Sequence, residues 1–386
     1  MLETGLDAAA LAARGAFATA REIAQQPAML RATQALLESR GAEIRAWLEP
    51  QLRQTGLRVI FAGAGTSSFI GECLAPYLSQ RLGIRCESVA TTDIVAAPAA
   101  HFSRSQPTLL VSFGRSGNSP ESLATVEFAD LLADHRVNHL VITCNSAGEL
   151  AARARRNGES LLLLLPDETH DRSFAMTSSF SCMTSAALGM FRGIDVAHAR
   201  LDAVAGATEH VIARESVRMR KLSAAGFERV IYLGSHVLQG LARESALKLL
   251  ELTDGRCVAT FDTPLGFRHG PKTVVNRRTL VIVFVSNDRY TRQYDVDLLA
   301  ELGREGVASK VVAVTAQPLP AIPGVEVIDV PHLAGADDVD LVVPFVALAQ
   351  LLAFHDSLRL GLSPDNPNRA GTVNRVVQGV RIHPLE

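Results

Sequence analysis

Glu244, Lys248 and Glu251 follow one another at intervals of four and three residues, so on a helix all three share one face. A carboxylate held at a ligand site can serve as a general base. The plainer reading is an exposed stripe of ion pairs. Position favours the chemical reading, because the segment follows an apolar run, Val230–Gly234, and so starts at the carboxyl end of a predicted strand. It leads into Phe261-Asp262-Thr263-Pro264-Leu265-Gly266-Phe267-Arg268-His269-Gly270-Pro271-Lys272, a Gly- and Pro-punctuated loop whose His269 could partner a carboxylate base. By spacing alone His269 could equally be a turn histidine bonded to local backbone.

Two other stretches suit an anion. Gly63-Ala64-Gly65-Thr66-Ser67-Ser68 ends one predicted strand, and Ser112-Phe113-Gly114-Arg115-Ser116-Gly117-Asn118-Ser119-Pro120-Glu121 ends another. In the second, Ser119 can cap a helix whose first residue is Pro120. A phosphate monoester there would meet free amides, the positive helix end and several hydroxyls. Each hydrogen bond to such a charged acceptor contributes about 1.5–3 kcal/mol. One such loop is ordinary turn chemistry. Two at adjacent strand ends, with the Arg115 fork between them, favour phosphate. Gly63-x-Gly65 with Glu87 roughly 20 residues on would suit a nicotinamide dinucleotide, but Ser68 stands where that fingerprint needs glycine. His135 and His139 fall at a turn into a strand, so no metal site is expected there. Asp337, Asp338 and Asp340 lack accompanying ligands and read as a solvated, helix-initiating turn.

The elements that must position these residues come in two series. Val59–Gly63 matches Val230–Gly234, and Thr108–Val111 matches Thr279–Ile282, a shift of 171 residues. Leu140–Thr143 beside Val312–Thr315, and Leu161–Leu165 before Pro166 beside Val325–Val330 before Pro331, keep the order. Each run is continuously apolar, as in strands buried on both faces of a parallel sheet. Helical patterns such as Gly71–Arg81, Pro120–Asp134 and Gln239–Glu251 alternate with them. The expectation is an α/β protein of two tandem, doubly wound parallel-sheet domains, flavodoxin-like α/β/α sandwiches. Residues 1–50 form an Ala-rich helical extension broken at Pro27, 51–197 the first domain, 198–228 a polar helical linker, 229–362 the second domain, and 363–386 a C-terminal loop and tail.

Composition narrows the function classes. With 386 residues, 47% hydrophobic and 20% charged, the chain can bury two cores. Lys and Arg number 38 against 40 Asp and Glu, without long runs of either sign, so neither nucleic acid nor a membrane surface is an expected partner. Cys73, Cys86, Cys144, Cys182 and Cys257 are odd in number and never form C-x-x-C, and so read as reduced core thiols. Glu3, Asp7 and Arg14 interrupt the start of the chain, which does not suit a secretory signal and leaves the cytoplasm as the expected location. Leu341–Phe354, with Pro344 and Gln350, is shorter than the roughly 18–20 residues a bilayer span needs and reads as a core helix.

At these residues the chain resembles the sugar isomerase (SIS) domain family, and within it the amino-sugar-phosphate deaminase/isomerases. The resemblance covers nearly the whole chain. It is carried by Gly63–Ser67, Phe113–Ser122, Glu168–Arg172, Phe174–Ser179, Ala242–Lys248, Gly266–Lys272 and Gly371–Gly379. It implies tandem SIS domains, a homodimer or homotetramer with sites shared between subunits, and an enzyme that converts D-galactosamine 6-phosphate into D-tagatose 6-phosphate and ammonia. By likeness to the isomerase half of glucosamine-6-phosphate synthase, Gly65, Thr66, Ser67, Arg115, Ser116 and Ser119 would hold the phosphate, and Thr177 and Ser178 the sugar. Glu251 would shuttle the proton with Lys248 beside it, and His269 would open the ring from a neighbouring subunit. Two departures stand out. Gly114 replaces a frequent serine, and the loop Ser363–Asn374 lacks the synthase's lysine, for which Arg369 is a conceivable substitute. The chemistry implied requires neither metal nor nicotinamide. Isomerisation without deamination, and a non-catalytic sugar-phosphate sensor indifferent to Glu251→Gln, are the rival readings.

Overall fold

The structure is a computed structural model describing residues 2–133, 136–377 and 379–385. Four helices open the chain: α1 (Ala8–Ala13), α2 (Phe17–Ala24), α3 (Gln26–Ser39) and α4 (Gly41–Leu52). Pro27 lies in the first turn of α3, where its missing N–H is tolerated. There follow β1 (Arg58–Gly63), α5 (Thr66–Leu82), β2 (Arg85–Ala90), α6 (Thr91–Ala96), β3 (Thr108–Gly114), α7 (Pro120–Leu132), β4 (Val137–Thr143), α8 (Glu149–Arg156) and β5 (Leu161–Leu164). Helices α9 (Ser178–Arg192), α10 (Ile194–His210) and α11 (Ser216–Ala224) come next, a π-turn at Val211–Glu215 joining the last two. The remainder is β6 (Arg229–Gly234), α12 (Val237–Leu252), β7 (Val258–Asp262), α13 (Pro264–Phe267), β8 (Thr279–Phe284), α14 (Arg289–Glu305), β9 (Lys310–Thr315), β10 (Val325–Asp329) and α15 (Asp338–Arg359).

All strand pairings are parallel. The first sheet has the order β2-β1-β3-β4-β5 and the second, read from its other edge, β7-β6-β8-β9-β10. The registers correspond too: Arg58 pairs with Thr108 across β1 and β3, and Arg229 with Thr279 across β6 and β8. This is the flavodoxin-like order, in which β1 and β3, or β6 and β8, flank the switch point where ligands bind.

The chain divides into two compact units that interleave in sequence: Met1–Pro27, Arg172–Thr177 and Asp202–Arg369 form one, Ala28–Asp171, Ser178–Leu201 and Ala370–Glu386 the other. In the unit of the second sheet, long-range polar bonds draw in the chain's first 27 residues, which carry α1 and α2. Gln26 Nε2 donates to Gln350 Oε1 (2.8 Å), and Thr19 Oγ1 donates to Asp365 Oδ1 (2.7 Å).

Each sheet is sealed by its own apolar layer. In one unit Ile60, Ala62, Leu110 and Val137 pack with Ile94, Phe102 and Ala129. In the other Ile231, Leu233, Val281, Val283 and Val311 pack with Leu298, Leu299 and Leu302. Truncating any one of these leucines or isoleucines to alanine costs about 2–5 kcal/mol. Helix α15 is mostly apolar, and every residue from Val339 to Ser357 is buried, as the expectation of Leu341–Phe354 as a core helix requires. It is long and apolar enough to cross a membrane, the one such helix among the described residues, and it lies inside its unit. All five cysteines are free and buried; burial pushes the Cys144 thiol up to about 12.

Candidate active site

Both β–α junctions at the first switch point are built by close backbone approach. A Cβ at Gly63 would come within 2.5 Å of the Ser67 carbonyl carbon, so only glycine lets α5 start so near β1. Gly65 then takes φ 55, ψ −128 to swing the chain into the helix, a backbone that L side chains rarely adopt. Thr66, Ser67 and Ser68 form the first turn of α5 and are buried.

At the adjacent junction Ser119 caps α7, its Oγ accepting from the Ser122 N–H at 3.3 Å, with Pro120 in the first turn as expected. Its hydroxyl also donates to Ser122 Oγ (2.7 Å), so Ser119 has a structural task as well. The carbonyls of this loop are held by the next one: Thr143 Oγ1 donates to Gly114 O (2.6 Å), Asn145 Nδ2 to Ser116 O (2.7 Å), and Leu150 N to Gly117 O (2.9 Å). These three bonds fix the course of the loop's backbone from Gly114 to Gly117. Arg115 is buried at 6% exposure, and its Nη2 donates to the Arg375 carbonyl at 2.9 Å. Arg375 in turn donates to the carbonyl of Asp171.

Asp171, fully buried, organises the start of α9. Its carboxylate accepts from Ser178 Oγ (2.5 Å), from the Ser179 N–H (2.9 Å) and from Ser179 Oγ. The segment carrying Thr177 is pinned in the other unit, where buried Glu22 accepts from the N–H groups of Arg172 (2.6 Å) and Ser173 (3.3 Å).

In the second-sheet unit, Glu244, Lys248 and Glu251 lie on one face of α12, as their spacing predicts, but the face is not an exposed stripe. Glu244 and Lys248 are fully buried and Glu251 keeps 23% of its side chain exposed. The Lys248 ammonium bonds to Glu251 and stands 3.4 Å from Glu244. Helix α12 starts at the carboxyl end of β6 as expected, but Glu251 does not lie there. Glu251 sits in the last turn of the helix, roughly 20 Å along its axis from the carboxyl edge of β6 at a rise of 1.5 Å per residue.

His269 is exposed, in the turn after α13, with its backbone N–H bonded to Gly266 O (2.9 Å). Its flanks are anchored on α14: Arg268 Nε donates to Glu301 (2.8 Å), and Lys272 bonds to Glu301 and, at 2.6 Å, to Glu305. No hydrogen bond joins His269 to Glu251 among the described residues. Arg369 is exposed and donates to Ser363 Oγ (2.8 Å).

The lesser candidates resolve simply. His139 is buried and pairs through Nε2 with Asp130 (2.8 Å), while His135 lies outside the described residues. Glu87 is bonded by Arg58 (3.0 Å) and by Arg85, so its carboxylate is committed to ion pairs. The reading of Asp337, Asp338 and Asp340 as a solvated turn is half right. Asp337 does stand at the N-terminal boundary of α15, but Asp340 is buried and Asp338 turns inward to accept from Asn287 N (2.6 Å) and Ser286 Oγ.

Four residues of these junctions had no role in the sequence pattern: Asn145, His236, and Asp171 and Arg375, the latter two present only within family motifs. His236 had a signal, because it falls on Gly65 at the 171-residue shift and takes nearly the same backbone, φ 55, ψ −123.

The SIS domain model matches residues 51–191. A Shewanella protein named D-galactosamine-6-phosphate deaminase AgaS is 44% identical, with 98% of this chain and 95% of the relative covered. The chain belongs to the SIS domain family, in its AgaS branch. An Escherichia coli AgaS, also named D-galactosamine-6-phosphate deaminase, is likewise 44% identical over 98% of each SIS chain. The crystal structure of a tagatose-6-phosphate ketose/aldose isomerase from Escherichia coli superposes with a TM-score of 0.88 at 41% identity, covering 95% of this chain and 96% of that one. The SIS fold of both sheets is thus common to the branch.

Proposed function

We propose that this SIS protein is a deaminase/isomerase that converts D-galactosamine 6-phosphate into D-tagatose 6-phosphate and ammonia. The observation that carries the reading is 44% identity, across almost all of both chains, to proteins named for that deamination. In this reading the 51–197 domain holds the phosphate through Gly65, Thr66, Ser67, Arg115, Ser116 and Ser119. Thr177 and Ser178 contact the sugar. The 229–362 domain supplies Glu251 as the proton shuttle, Lys248 orienting its carboxylate and His269 opening the ring.

The steps balance without an added reagent other than water. Glu251 takes the proton from C2, the carbon bearing nitrogen, leaving an enolamine. The same proton returned to C1 gives the ketose imine. Water then adds at C2, the C–N bond breaks and ammonia leaves. We also propose a cytoplasmic homodimer or homotetramer in which His269 serves a neighbouring subunit; its exposure on the surface of its unit supports that role.

The test is to incubate the purified protein with galactosamine 6-phosphate and assay ammonia and tagatose 6-phosphate together. Equimolar formation is expected. A second reading, isomerisation of sugar phosphates without deamination, draws support from the similar Escherichia coli structure, which is named for ketose/aldose isomerisation alone. Ketose formation from a non-amino aldose phosphate, with no ammonia from the amino sugar, would favour it instead.

A further inference from the structure

We propose that Arg375 is a positioning residue of the phosphate site, and that residues 371–377 are a working part of that site; this rests on the phosphate reading of the first-sheet loops given above. A buried guanidinium must place its five donors on acceptors or lose the energy of desolvating them. Arg115 is such a group, and one of its nitrogens is held by the main-chain carbonyl of Arg375 at 2.9 Å. The Arg375 side chain reaches the other way, to the carbonyl of Asp171. That residue's carboxylate gathers Ser178 and Ser179 at the start of α9. One tail residue therefore ties the guanidinium assigned to phosphate to the turn assigned to the sugar.

The attachment depends on polar contacts. Val373 and Val377 are 57% and 50% exposed, and Thr372 and Asn374 are exposed as well, so apolar burial does little to hold the segment. A strand of chain fastened this way opens at low energy once its hydrogen bonds are removed. Loss of the Arg375 side chain frees its carbonyl from Arg115, and the guanidinium loses its orientation. Arg369, the basic residue that sequence position suggested, is bonded to Ser363 and exposed, and so does not take this role.

The experiment is calorimetric titration of the full chain with inorganic phosphate, alongside KM for galactosamine 6-phosphate, for wild type, Arg375→Ala and Arg375→Lys, each with a thermal melt. Arg375→Ala should weaken phosphate binding about tenfold, the value of one charge-assisted hydrogen bond's worth of orientation. KM should rise in step, the loss falling on KM rather than kcat, with Arg375→Lys intermediate. Phosphate affinity and KM in Arg375→Ala equal to wild type would overturn the proposal. If Arg375→Ala does not fold, Arg375→Lys decides: affinity equal to wild type overturns the role and weakened affinity supports it. A wild type that binds no phosphate would sink the phosphate reading of the loops and this proposal together, whereas phosphate binding indifferent to Arg375 sinks this proposal alone.

Discussion

At the switch point of the first sheet β3 is followed by Arg115 and Ser116; 171 residues on, beyond β8 and Val285, stand Ser286 and Asn287. The strand order and register around the two positions are the same, yet the chemistry is opposite. The second edge has already filled its donors with its own carboxylates. Asp295 accepts from Ser235 Oγ (2.7 Å) and the Ser286 N–H (2.9 Å), and Asp338 accepts from the Asn287 N–H (2.6 Å) and from Ser286 Oγ. Burial pushes Asp295 up to about 6, against the pull of those donors, and raises Asp338 as well. An arriving phosphate would find the amides taken and two acids in its place, Asp295 buried and Asp338 half-buried. Copying a fold copies the backbone junction; whether it becomes an anion site depends on whether the chain supplies the anion itself.

The largest effect that could break this comparison is at the paired positions Arg115 and Ser286. Arg115→Ala should raise both Kd for phosphate and KM for the sugar phosphate about a hundredfold, from lost bidentate, charge-assisted bonding. Ser286→Ala should leave both within about twofold, because its hydroxyl serves Asp338. Similar losses at the two sites, measured by titration and steady-state kinetics, would mean that both edges bind the ligand.

A smaller effect concerns pH. Because the folded carboxyl of Asp295 titrates near 6 rather than 3.8, the folded state holds a proton between those values that the unfolded chain has released. Its contribution is fully present below about pH 4 and is lost as pH rises to about 6, a fall of roughly 2–3 kcal/mol. Denaturation curves across that range should show this fall in wild type and a flatter profile in Asp295→Asn; parallel profiles would mean that the carboxylate is not penalised.

The smallest effect is at His236, which holds a backbone that its counterpart Gly65 adopts freely. His236→Gly should raise stability by up to about 1 kcal/mol, relief of strain being partly offset by glycine's larger unfolded-state entropy. A melting temperature that falls instead would show that the imidazole's contacts outweigh the strain.

Much of the fold was legible because parallel strands buried on both faces leave continuous apolar runs, as in Val59–Gly63 and Val230–Gly234. β2 and β7 left no such run. Both are edge strands, half-exposed along most of their length, so polar residues such as Glu87 and Thr260 interrupt them. At the junctions, Ser119 and Pro120 announced a helix start because capping is a local matter. The burial of Lys248 between two glutamates was invisible, since a charge pattern at helical spacing reads the same whether it faces solvent or protein. The attachment of 1–27 to the second-sheet unit, and of 370–386 to the first, rests on pairs such as Gln26–Gln350 and Arg115–Arg375. Separations of hundreds of residues leave no local pattern to read.

Anchoring by the first-sheet loops and proton transfer by α12, as proposed, are separable by one substitution. Glu251→Gln should bind galactosamine 6-phosphate with near wild-type affinity in a calorimetric titration, one molecule per chain, while ammonia release falls by about a thousandfold, as loss of a general base implies. Ammonia release that persists at the wild-type rate in Glu251→Gln would contradict the account.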